Sequence, residues 1–102
     1  MIIYNVTIKI ENDVHDEWVN WMKTVHIPEV METGFFLENR FAKILVDDED
    51  GVNYSIQYKC ANHQDLEDYQ QKHAPQLQAK HTLRYKDKFV AFRTLLEIVD
   101  ER

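Results

Sequence analysis

The sequence predicts an α+β domain in which four antiparallel strands carry two helical segments on one face. Three observations lead there. Residues 52–60 alternate without a break: Val52, Tyr54, Ile56, Tyr58 and Cys60 fall on one side, Asn53, Ser55, Gln57 and Lys59 on the other. A period of two marks a strand with one apolar and one polar face. Residues 2–10 alternate likewise, with Tyr4, Val6, Ile8 and Ile10 on the more apolar side and Ile3, Asn5, Thr7 and Lys9 opposite. Stretches of helical period follow each of these strands, so the order is strand, helix, strand, strand, helix, strand in one domain spanning residues 1–102. This is the split βαβ, or ferredoxin-like, arrangement. Right-handed crossovers put the first and third strands at the centre of the sheet.

After the first strand, Asn12 or Asp13 can cap a helix, and Asp16 and Glu17 suit its first turn. Val14, Trp18, Trp21, Met22 and Val25 then form one apolar stripe. His26-Ile27-Pro28 predicts a kink and a short further helical piece through Glu32. Gly34 is expected to end it in the left-handed conformation. Residues 35–46 are β-rich, but their alternation changes parity, as a bulge or partial cover on both faces would require. Asp47 to Gly51 reads as a hairpin turn; it has four acids but not the ligand ladder of a calcium loop. Asn62 can cap the second helical stretch, in which Leu66, Tyr69, His73, Leu77 and Lys80 recur at helical spacing and Tyr85 lies further on. Pro75 should divide it near His73-Ala74-Pro75. Residues 89–99 make the last strand.

Eighteen acidic against twelve basic residues, a net charge of -6, argue against nucleic acid and against an anionic membrane surface as partners. Cys60 is the single cysteine, so no internal disulfide forms, and its place on an apolar strand face reads as a buried small hydrophobe. With no basic leader and no spanning apolar run, a cytoplasmic location is expected. The two glycines leave no phosphate loop or dinucleotide fingerprint.

Two helical segments cover one face of a sheet. With the Tyr4 and Tyr54 sides given to the helices, the other face carries Ile3, Asn5, Thr7, Asn53, Ser55, Gln57 and Lys59. From the last strand we assign Phe89, Ala91, Arg93 and Leu95 to that same face. Apolar groups among hydrogen-bonding ones predict association, here a homodimer of two sheets meeting face to face. Arg93, a charge within an apolar strand, should have an ionic partner, Glu38 or a carboxylate of a second subunit; the alternative to such a structural pair is an anion-binding role.

The βαββαβ order, the tryptophan-rich first helix leading to His26-Ile27-Pro28, and His73-Ala74-Pro75 on the second resemble the dimeric α/β-barrel superfamily. That group holds antibiotic-biosynthesis monooxygenases, EthD-like proteins, muconolactone isomerases and haem-degrading monooxygenases. Within it, the opening residues 1–7, the stretch 18–30 and residues 88–96 resemble a small bacterial family of unknown function. The resemblance implies a ligand between sheet and helices. The haem-degrading members use an Asn on the first strand, an aromatic on the second helix and a His beyond it, which would correspond to Asn5, Tyr69 and His81 or His73. Tyrosine stands here for the usual tryptophan, the spacing differs, and parity turns Asn5 away from the helices. No cofactor is therefore expected.

Five histidines are present, but no pair has metal-ligand spacing, so no metal site is expected. His26, at the end of the first helix, can cap free carbonyls or act as an acid-base group. As candidate catalytic residues we take His26, His73 and Tyr58. As candidate ligand-binding residues we take Trp18, Met22, Tyr54 and Tyr69. The function these imply is binding of a small, partly apolar molecule with cofactor-free oxygenase- or isomerase-like chemistry. The alternative is a non-catalytic homodimeric module whose own tryptophans fill the helix-sheet space.

Overall fold

A computed structural model describes all residues, 1–102. Its four strands are β1 (Ile2–Glu11), β2 (Glu38–Lys43), β3 (Gly51–Cys60) and β4 (Phe89–Glu97), in the sheet order β2-β3-β1-β4 and antiparallel throughout. The two strands with unbroken alternation are the central ones. Tyr4 sits opposite Tyr58, Val6 opposite Ile56 and Ile8 opposite Tyr54. All six are buried under the helices, as the period of two requires. Gly51 opens β3 where a Cβ would lie 2.5 Å from the Ile10 carbonyl oxygen, so no larger residue fits against β1 without displacing backbone.

The first connection begins with a 3-10 turn at Asn12–Val14 and continues as α1 (His15–Trp21). Neither Asn12 nor Asp13 caps α1 as expected. The Asn12 amide donates to the Glu49 carbonyl, tying the helix start to the hairpin, and Asp13 pairs with Lys88. A π-helical turn at Met22–His26 then leads into α2 (Ile27–Glu32), whose first turn holds Pro28. A π turn carries one more residue than an α turn, so it advances the inward face by one position. Val25, expected on the apolar stripe, is turned out to solvent, while Ile27 and Val30 are buried. Gly34 ends the segment at φ +82°.

In the second connection Asn62 caps α3 (His63–Lys72), its side chain accepting from the Asp65 amide at 2.8 Å. The chain breaks at His73, φ -127°, and restarts as α4 (Ala74–Arg84) with Pro75 in the first turn. This break also shifts the frame. Ala74, Leu77, His81 and Tyr85 face inward, whereas Lys80 lies outside and pairs with Glu29.

Two strand assignments change. β2 is shorter than the expected 35–46. It pairs with β3 residue for residue from Glu38 to Lys43, with no bulge, and Phe36 ahead of it plugs the core, 4.7 Å from the Tyr69 ring. On β4, Phe89 pairs with Ile10, Ala91 with Ile8, Arg93 with Val6 and Leu95 with Tyr4. Directly paired residues share a face. Phe89, Ala91, Arg93 and Leu95 therefore lie on the helix side, not the open side. The open face of β4 carries Val90, Phe92, Thr94 and Leu96. Arg93 meets neither Glu38 nor any other carboxylate: its Nε donates to the Tyr4 hydroxyl at 3.0 Å. Cys60 is buried as expected. No helix is long and apolar enough to cross a membrane.

Candidate functional site

Between β1, β3, β4 and the two helical layers lies a cavity of about 50 Å³. That is room for roughly three or four water-sized groups. Its walls are mostly apolar, with Val6, Ile8, Met22, Val30, Ile56 and Leu77 among them. Its polar groups are His26, His81, Tyr4, Tyr58, Tyr69, Gln78, Thr82 and Arg93. A few polar groups converging in an apolar pocket are the usual form of a small-molecule site.

The π turn sets His26 against this space. Its ring stacks on Trp21 at 5.0 Å and lies 5.6 Å from the His81 ring. Its Nδ1 is buried and has no hydrogen-bond partner, so the helix-capping role open to it in the sequence is not the one it plays. Buried nitrogens of this kind are rare in folded chains and call for an explanation. Burial pushes the His26 pKa down to about 4; Glu29 opposes the shift, and Lys80 and Arg93 add to it. His81 is 5% exposed. Its Nε2 accepts from the Trp18 indole N–H at 2.9 Å, which leaves the proton of the neutral ring on Nδ1. Burial, then the neighbouring His26 and Arg93, hold its pKa down to about 4 as well. At neutral pH the cavity thus carries two uncharged imidazoles beside a guanidinium.

The tyrosines complete the polar end. Tyr4 lies 6.2 Å from Tyr58 and 6.0 Å from Tyr69, ring centre to ring centre. Burial raises the phenols of Tyr58 and Tyr69 well above their ordinary range, so both keep their protons and act as donors. Tyr4 accepts from Arg93, and its own proton remains free to donate.

Of the residues singled out in the sequence, His26, Tyr58, Met22 and Tyr69 line the cavity. The other three do not. Trp18 is fully buried behind it and holds His81. The Tyr54 hydroxyl bonds His15 Nε2 at 2.7 Å, and its ring packs on Trp18 and Phe41. His73 sits at the helix break, its ring 5.6 Å from Phe35. Among the other polar lining groups, Arg93 was expected on the open face, His81 was named only through the resemblance, and Gln78 and Thr82 were not singled out. Counting helical period afresh from Pro75 (74, 77, 81, 85) would have turned His81 inward. A consistent parity between β1 and β4 would have done the same for Arg93.

Haem does not fit these residues. Asn5 is on the open face, where it donates to Thr7 and accepts from Ser55, and His81 Nε2 is taken by Trp18. A cavity of about 50 Å³ is also far below the size of a tetrapyrrole. No group of three or more His, Cys, Asp or Glu residues is placed to hold a metal ion.

In sequence, residues 1–99 match the family described as Domain of unknown function (DUF4286). No curated protein matches the chain in sequence. In fold it is similar to a dimeric ferredoxin-like protein from an uncultured marine organism, with TM-score 0.73, 11% identity, and coverage of 100% of this chain and 98% of that one. It is also similar to a Bacillus cereus protein classed with the antibiotic-biosynthesis monooxygenases, with TM-score 0.68, 9% identity, and coverage of 99% and 95%. A third is an EthD-family protein from Bacillus halodurans C-125, with TM-score 0.66, 10% identity, and coverage of 97% and 100%. At such identities the likeness is one of fold. The chain belongs to the DUF4286 family and has the ferredoxin-like fold of these neighbours.

Proposed function

We propose that the protein is a homodimer that binds one small, partly apolar molecule per subunit in the cavity between helices and sheet, and moves a proton on it without a cofactor. The observation that carries this is the buried, unpartnered Nδ1 of His26, a residue that lines that cavity. A neutral imidazole can take a proton from a carbon or oxygen acid, and a substrate that brings negative charge beside the ring would raise the His26 pKa from about 4 toward the working range. Returning it to a different carbon completes an isomerisation. Removing it to leave an electron-rich enolate is the first step of a cofactor-free oxygenation. The names of the Bacillus cereus and EthD-family neighbours are in keeping with small-molecule chemistry on this fold.

The open sheet face supports the dimer. Its β1-β3 half is polar and internally satisfied: Ser55 donates to Asn5 at 2.6 Å, and Lys9 pairs with Asp48 at 3.0 Å. Its β4 edge exposes Val90 (69%), Phe92 (60%) and Leu96 (44%) in a row. Such a row calls for cover, and the marine neighbour is described as dimeric. Native mass spectrometry of protein purified from its own host tests both halves together. The expected result is two subunits retaining a small molecule, with Phe92→Glu giving monomers. A ligand-free monomer would remove the proposal. The alternative, a non-catalytic dimeric module, is favoured by how completely Trp18, Phe36, Phe41 and Tyr69 fill the rest of the helix-sheet space. A dimer in which no small molecule reaches His26 would select it.

A further inference from the structure

We propose that the molecule taken by this cavity is a short organic acid, its carboxylate seated on Arg93 and the neighbouring tyrosine hydroxyls and its apolar end lying toward Met22, Val30 and Leu77. The inference rests on the cavity reading above and names the chemistry of the occupant.

Arg93 is the cation among the cavity's lining residues. In a chain with eighteen acids to twelve bases, the expected arrangement is a guanidinium with a carboxylate. Lys9, Lys59, Lys80, Arg84, Lys88 and Arg102 each have one, while Lys23, Arg40, Lys43, Lys72 and Lys86 are exposed and unpaired; Arg93 differs from those five in lining the cavity. Arg93 has only the neutral Tyr4 hydroxyl, on Nε, which leaves its two terminal nitrogens free for a bidentate acid. The acid nearest in effect to the cavity's histidines, Glu29, is already bound to Lys80 at 2.8 Å. A carboxylate from a second subunit laid across the open face cannot serve, because Arg93 lies on the opposite side of the sheet.

The tyrosines add the donors. Tyr4 has its proton to give, and Tyr58 and Tyr69 are phenols with no hydrogen-bond partner in the chain that both line the same space. Arg93 is exposed and so marks the mouth, while His26 Nδ1 is buried. A bound acid therefore extends inward from Arg93 toward the imidazoles. Its size is limited to a few heavy atoms by a volume of about 50 Å³.

The test compares isobutyrate with isobutyramide, which share a shape but not a charge, by NMR titration of the full chain at neutral pH. Isobutyrate is expected to move the His26, His81, Tyr69 and Arg93 side-chain signals saturably. Isobutyramide should bind about tenfold or more weakly, as loss of a charge-assisted pair implies. Arg93→Gln should weaken the acid by a similar factor and the amide by much less, so that the contrast between them shrinks; Arg93→Lys should restore part of the loss. Equal binding of acid and amide at the cavity residues would overturn the acid assignment while leaving the cavity as a ligand site. If neither compound touches those residues, the cavity reading falls with it. The acid-amide contrast on the unaltered chain decides the matter even if the Arg93 variants fold poorly.

Discussion

The chain contains two His-x-Pro steps, His26-Ile27-Pro28 and His73-Ala74-Pro75, one in each βαβ half, and they come out differently. In both, the proline enters the first turn of the following helix. In the first half the backbone stays helical through His26, φ -70° and ψ -53°, and absorbs the irregularity as a π turn. In the second it leaves helical geometry at His73, φ -127°, and starts again. A π turn keeps the axis but rotates the face, so His26 itself arrives at the cavity. A break discards the old frame, so His73 stays by Phe35 and the new frame brings in His81. The same three-residue pattern thus delivers one imidazole to one cavity from each side, by two mechanisms. The lesson is that a proline fixes where a helix is interrupted but not how the chain on either side is phased.

The largest effect should follow from removing the group that ties the two halves together. Trp18→Ala empties a fully buried indole site and should cost about 3–5 kcal/mol in denaturant unfolding. Trp18→Phe keeps most of the volume but orphans His81 Nε2 and should cost about 1–3 kcal/mol. If it costs nothing, the Trp18-His81 bond does not hold the second imidazole.

Acid should separate folded from unfolded chain next. Both imidazoles titrate at about 4 when folded against an ordinary value of 6.5. Between those values the unfolded state binds more protons, so the stability they contribute is full above pH 6.5 and falls as pH drops toward 4. The loss should be on the order of 3 kcal/mol for each ring across that window. It is read as a declining midpoint in urea, and His26→Leu should flatten part of the slope.

Smaller changes probe the phasing. Pro28→Ala restores an amide that can close the wide turn into α-helical register. It should alter stability by no more than about 1 kcal/mol, yet move the His26 ring signals, while Pro75→Ala leaves them alone. Identical responses would mean the two steps are not distinct. Gly34→Ala, at φ +82°, should cost about 1 kcal/mol, since a Cβ there strains the left-handed cap although nothing lies within 4 Å of it.

These phase shifts also mark the limit of what could be read from the sequence. The unbroken alternation of residues 2–10 and 52–60 marked these two strands and their inward faces, because a period of two permits only two assignments; their place at the centre of the sheet followed from the right-handed crossovers of the βαββαβ order. Asn62 and Gly34 were legible as caps, because each solves a local problem of orphaned backbone groups or of handedness. Within the candidate site, Tyr58 followed from strand parity and Met22 and Tyr69 from helical period, while His26 stood out by its place before Pro28 at the end of the first helix. Arg93 was lost because β4 is rich in apolar residues at both parities, so only its pairing with β1 settles its face. Helical period alone missed His81, which only the resemblance named, because a single period was carried across Pro75; Trp18, expected as a ligand-binding residue, sits behind the cavity and donates to His81.

The central claim is that the two interruptions bring His26 and His81 together as neutral rings in one closed site. Nitrogen-resolved NMR of the imidazoles through a pH titration tests it most directly. The account predicts both rings uncharged at neutral pH with midpoints at about 4, and His81 carrying its proton on Nδ1. Midpoints near 6.5 for both, with His81 protonated on Nε2, would place the rings in water and contradict it.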